Sequence, residues 1–342
     1  MYKLIKLLLL ALVLPFLVHS QQYKLEPMFI GPNTSIRGLS VVDENIIWVS
    51  GNKGYIGKSL NGGKTWEWIQ PKGYEKLDFR DIQAFDRLKA IVVNAGSPAY
   101  ILSTIDGGKT WRETYKNIDS AIFLDGMDFW NSQQGIVFGD PIKNKMQLLR
   151  TQDGGLSWQN ISDRLKQNLA VGEAGFAASG TSIKALPDGK VWIATGGTVA
   201  KVYFSPNYGN LWKVYDCPIM QGESSTGTFS IDFYNERKGI AVGGNYLKDK
   251  DNTNNVLITK NGGRTWKKPV IPVFGFRSAV VYINENLCFA TGTSGTDLSV
   301  DGGKKWMNIS SLGFNVIKSA PNGKLIVLAG GKGQIYRLNM IL

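Results

Sequence analysis

The chain is poor in the side chains that do most protein chemistry. Its 342 residues include one histidine and two cysteines. The histidine, His19, sits in an amino-terminal stretch that reads as a removable leader, so the mature chain would lack the commonest general base and metal ligand. Cys217 and Cys288 are far apart in sequence and form no Cys-x-x-Cys pair, so thiol redox chemistry and a thiolate metal cage are excluded. They read as two buried small hydrophobes. No Gly-x-Gly-x-x-Gly opens a helix, no P-loop is present, and no haem-attachment motif occurs. The reading therefore includes no cofactor and no metal, and Asp249 and Asp251 are assigned to a solvated loop.

Long hydrophobic runs are equally scarce. Residues 7–18 are apolar, follow Lys3 and Lys6, and end at His19 and Ser20. Twelve residues are too few to span a bilayer but suit a signal peptide at 1–20 cleaved after Ser20. No transmembrane anchor is expected, and with no cysteine at the junction no lipid anchor is either. The mature chain, 21–342, is expected to be exported, periplasmic or extracellular, and monomeric. The net charge of +12 falls to +10 when Lys3 and Lys6 leave. The basic residues are scattered singly, which argues against nucleic acid and leaves an anionic ligand or acidic partner open.

A short repeat organises what is present. Ser or Thr is followed by Asp or Asn two positions on, Gly four on and Trp seven on, at 59–66, 104–111, 151–158, 205–212, 259–266 and 299–306. The acidic or amide positions are Asn61, Asp106, Asp153, Asn207, Asn261 and Asp301; the indoles are Trp66, Trp111, Trp158, Trp212, Trp266 and Trp306. Successive tryptophans lie 45, 47, 54, 54 and 40 residues apart, the size of one propeller blade. A hydroxyl and a short carboxylate or amide can bond the amides of a tight turn, and glycine takes its positive-φ positions. The tryptophan can then wedge between neighbouring blades. These positions are assigned to structure, not to catalysis.

Blade one is read as strands 38–42, 46–50, 55–59 and 66–70. The tail supplies only three strands, 316–320, 324–329 and 334–338, so residues 23–30 are expected to complete a seventh blade and close the ring. The expected fold is all-β: a single seven-bladed propeller of four-stranded blades.

The six repeats resemble the Asp-box, or bacterial neuraminidase, repeat of sialidases, sortilin-type receptors and photosystem II stability and assembly factors. The compact blades most resemble the assembly-factor-like group, which implies a chaperone-like binding scaffold for a protein partner. The box itself specifies fold rather than activity.

Sites on such rings are expected opposite the boxes, at the channel mouth. Arg37, Arg80 and Arg277 each stand where an innermost strand begins, which suggests a converging, carboxylate-binding set. Asp140 and the Asn245–Tyr246 pair lie on the longest loops of that face, with Tyr246 as an exposed anchor; Glu173 and Glu223 lie in connections entering blades four and five. The alternative is a sialidase-like hydrolase of an anionic glycan, since sialidases use an arginine triad. The first arginine here stands in Ile36-Arg37-Gly38 rather than the sialidase Arg-Ile-Pro context, and no acid and nucleophile pair is evident.

Overall fold

The computed structural model describes residues 22–341; the leader and its cleavage after Ser20 lie outside them. The described residues form a ring of seven antiparallel sheets, with only two short 3-10 turns besides strands. Blade one contains Ile36–Val41, Ile47–Gly51, Ile56–Ser59 and Glu67–Ile69, in sequence order from the channel outwards. Blades two, three, four and six repeat this order from Phe79–Ala84, Leu124–Phe129, Ile183–Ala185 and Ala279–Tyr282. Blade five starts at Thr226–Phe233, and its fourth strand is reduced to one bridge, Ile258 to Lys267, because Pro269 and Pro272 follow.

Blade seven joins both ends of the chain. Val316–Ser319, Ile326–Ala329 and Gln334–Ile341 form its inner three strands, and Gln22–Ile30 forms the fourth. The pairing runs from Gln22 opposite Ile341 to Ile30 opposite Gln334. The amino-terminal segment thus covers an edge that would otherwise be open.

The repeated turn is built as its residue types dictate. In all six copies the hydroxyl oxygen accepts the amide of the glycine four residues on, at 2.8–3.0 Å. The Asx oxygen accepts the amide four residues further along, at 2.9–3.0 Å. At Asp106 these bonds, led by the Thr110 hydroxyl, pull the carboxyl down to about 2. The second glycine is required twice over. Gly63 has φ +85°, and a Cβ there would stand 1.9 Å from Met28 Cε of the closing strand.

The core consists of seven apolar layers between adjacent blades. Trp66, Trp111, Trp158, Trp212, Trp266 and Trp306 each enter the layer shared with the preceding blade. Between blades six and seven, where no such tryptophan is available, Tyr23, Leu25 and Tyr336 pack instead. Cys217 and Cys288 are free, buried thiols in two of these layers, and burial pushes Cys217 up to about 12.

Candidate functional site

Opposite the repeated turns, the innermost strands open into a cavity of about 480 Å³. The aim of its side chains follows from β-bulges. In blades one, two, three and five the register slips by one residue near the start of the innermost strand, at Arg37, Arg80, Asp125 and Phe229. A bulge leaves one residue unpaired and turns its side chain. Here all four side chains line the cavity, and Ser278 and Asn315 line it from blades six and seven.

The same register accounts for Arg277. Counted back from the pairs Tyr282 with Cys288 and Val41 with Ile47, the blade-six counterpart of Arg37 is Ser278, not Arg277. Arg277 occupies the preceding position, which in blades one and two holds the buried Ile36 and Phe79. It is fully buried there and ion-paired: Nε donates to Asp297 Oδ2 at 2.8 Å, and NH2 lies 2.7 Å from the same oxygen. NH1 donates to the Phe276 carbonyl and to Ser294 Oγ. Burial lowers Arg277 from the usual arginine range, against the opposing pull of Asp297. The three arginines therefore do not converge; Arg37 and Arg80 do.

Those two hold a segment that crosses the channel. The connection into blade four runs inward, and Arg37 NH1 donates to the Ala178 carbonyl at 2.9 Å and Arg80 NH1 to the Ala177 carbonyl at 3.4 Å. Beyond them Ser179 Oγ donates to the Ser278 carbonyl, and Thr181 shares a hydroxyl bond with Ser230. On the far side of this plug lies a second, polar cavity of about 330 Å³ with Lys184, Asp232 and Lys318 in its wall. Arg80 also pairs with Asp78 at 2.8 Å and lies over the Phe123 ring. Burial, and then the charge of Arg80, lower Arg37.

The remaining candidates divide. Asp140 lines the cavity and accepts the Gly175 amide at 2.9 Å. Tyr246, 47% exposed, forms the rim and packs edge-on against Phe229. Asn245 is buried, accepting the Leu247 amide and donating to the exposed Glu223, so these two position the Tyr246 loop. Glu173 is buried away from the cavity, where it accepts bonds from the Thr195 and Tyr203 hydroxyls and the Ala170 amide. Its place is structural.

The apolar half of the site was absent from the sequence reading. Phe176 stacks on Phe229 at 3.8 Å between centroids, and Phe276 meets Phe229 edge-on at 4.7 Å. These three rings line the cavity together with Arg37 and Arg80, and Phe123 lines it beneath Arg80. Asp125, which sequence suggests only as a pairing partner for the arginines, lines the cavity as well. Among the described residues no three His, Cys, Asp or Glu side chains are grouped to hold a metal ion, and no helix is long and apolar enough to cross a membrane.

No known family profile matches the chain, and no curated protein matches it. Solved structures do. A structure described as YCF48 bound to D1 peptide superposes with a TM-score of 0.66 at 16% identity, covering 92% of this chain and 96% of that one. YCF48 from Cyanidioschyzon merolae superposes with a TM-score of 0.63, also at 16% identity, covering 92% and 98%. Across nearly its whole described length this seven-bladed chain is similar in fold to these YCF48 structures.

Proposed function

We propose that this protein is a non-catalytic, assembly-factor-like binding scaffold that takes a peptide segment of an exported or membrane-protein partner into the channel-mouth cavity. One observation carries the reading: Arg37 and Arg80 share one cavity with a cluster of aromatic rings and a half-exposed tyrosine at its rim. Guanidinium groups bind carboxylates in fixed geometry, and a rigid aromatic surface beside them takes apolar side chains at low entropic cost. One of the similar folds is described as peptide-bound, which agrees with this reading. The reading retains export by a cleaved leader and a monomeric state.

The sialidase-like alternative depends on three converging arginines, and only Arg37 and Arg80 line the cavity. A pull-down from native envelope with the wild-type chain and an Arg37→Ala/Arg80→Ala variant tests the proposal. A partner held by the wild type and lost by an equally stable variant supports it. An unchanged set, or none, refutes it.

A further inference from the structure

The cavity has a negative side that the binding reading leaves unused. Asp125 and Asp140 lie on adjacent strands of blade three, each at a register slip, so two independent bulges turn two carboxyls into one corner of the mouth. Asp125 is 1% exposed, and neither of its oxygens meets a hydrogen-bond donor. Asp140 is half-buried, and Gly175 supplies it with one amide. Among the described residues neither carboxyl belongs to an ion pair. Arg80 is committed to Asp78, and Arg37 and Arg80 both to plug carbonyls. A buried carboxyl without a donor, as at Asp125, is costly to keep, and a structural role would come with donors, as it does at Glu173.

We propose that the Asp125–Asp140 pair is the cation-accepting half of the cavity and binds a lysine or arginine side chain of the same peptide whose carboxylate meets Arg37 and Arg80. This rests on the peptide-binding reading and deepens it: the ligand is a segment carrying an acidic and a basic side chain with an aromatic or aliphatic one between the poles. Asp140 receives the cation directly. Asp125, seated behind it against Gly175, is a positioning residue; a Cβ on Gly175 would lie 2.4 Å from its Oδ2. Burial, the adjacent Asp140 charge and the contact with Asp140 push the Asp125 carboxyl well up, against the opposing charge of Arg80.

The test uses two fluorescein-labelled octapeptides, each with one glutamate and one phenylalanine, differing at a single position: lysine or the near-isosteric norleucine. Affinities are read by fluorescence polarisation for the wild type, Asp140→Asn, Asp125→Asn and Arg37→Ala/Arg80→Ala. The wild type is expected to prefer the lysine peptide by about tenfold, the effect of one charge-assisted hydrogen bond. Asp140→Asn brings the ratio near one, and Asp125→Asn, which is isosteric, lowers the ratio. A wild-type ratio near one, or a ratio unmoved in both Asn variants, overturns the proposal while arginine-dependent binding keeps the channel-mouth reading standing. If neither peptide binds, or the arginine variant binds both equally well, that reading fails and this inference falls with it.

Discussion

Arg277→Ala separates structure from binding most sharply. The guanidinium and the Asp297 carboxylate are both 0% exposed, and the arginine supplies two of the contacts to Asp297. Its removal leaves that carboxylate with the Phe274 amide and the Asn308 side-chain amide, while the Phe276 carbonyl and Ser294 lose a donor. Stranding one member of a buried pair costs about 3–5 kcal/mol. For a protein of this size that is a fall in Tm of roughly 4–7 °C. Arg37→Ala deletes one bond from a partly exposed side chain and should cost only about 1 kcal/mol. Arg277→Met/Asp297→Leu, which removes both charges, should recover most of the loss. Urea unfolding followed by tryptophan fluorescence reads all three. If Arg277→Ala is as stable as Arg37→Ala yet abolishes ligand retention, Arg277 faces the cavity and the register argument is wrong.

Other outcomes follow from the same structure. Burial holds Asp81 at about 7, against the opposing charge of Lys318 and two backbone amides. Because this folded value lies above the unfolded one of about 3.9, its contribution is fully present below pH ~4 and is lost as pH rises through 7. Asp81→Asn should therefore gain stability relative to wild type between pH 5 and 7, by at most ~1.4 kcal/mol per pH unit, and parallel unfolding curves at the two pH values would exclude it. Glu173→Ala leaves the Thr195 and Tyr203 hydroxyls and the Ala170 amide without their acceptor and should cost about 2–4 kcal/mol with no change in peptide affinity. Deleting residues 22–30 exposes the Gln334–Ile341 edge and should yield an aggregating chain by light scattering; a monodisperse, fully folded product would contradict the closure described here.

The fold was legible because one motif repeats its hydrogen-bond chemistry six times, and because the tail lacked one strand that residues 23–30 could supply. The site was only half legible. Arg37 and Arg80 were found from their place at strand starts, but the similar neighbours of Arg277, Phe276 and Ser278, hid a displacement of one residue. Spacing from the box does not reveal it, because turns and bulges vary between blades. Counting back along the inner pair of strands does, once the pairing is known. Glu173 was chosen for its loop, yet that loop folds back to pair with Gly196 and Gly197, where the acid becomes buried. The aromatic lining carries no pattern in sequence, since its members come from an inner strand and three separate connections.

The closing strand also bears on how the protein is made. An open stack of repeats can fold from either end and fray from either end. Here the seventh sheet needs residues 22–30 and 334–341 together, so the ring cannot be sealed until residue 341 has been made. Until then the Gln22–Ile30 strand has no sheet to join. Once sealed, no terminal blade remains from which unfolding can begin.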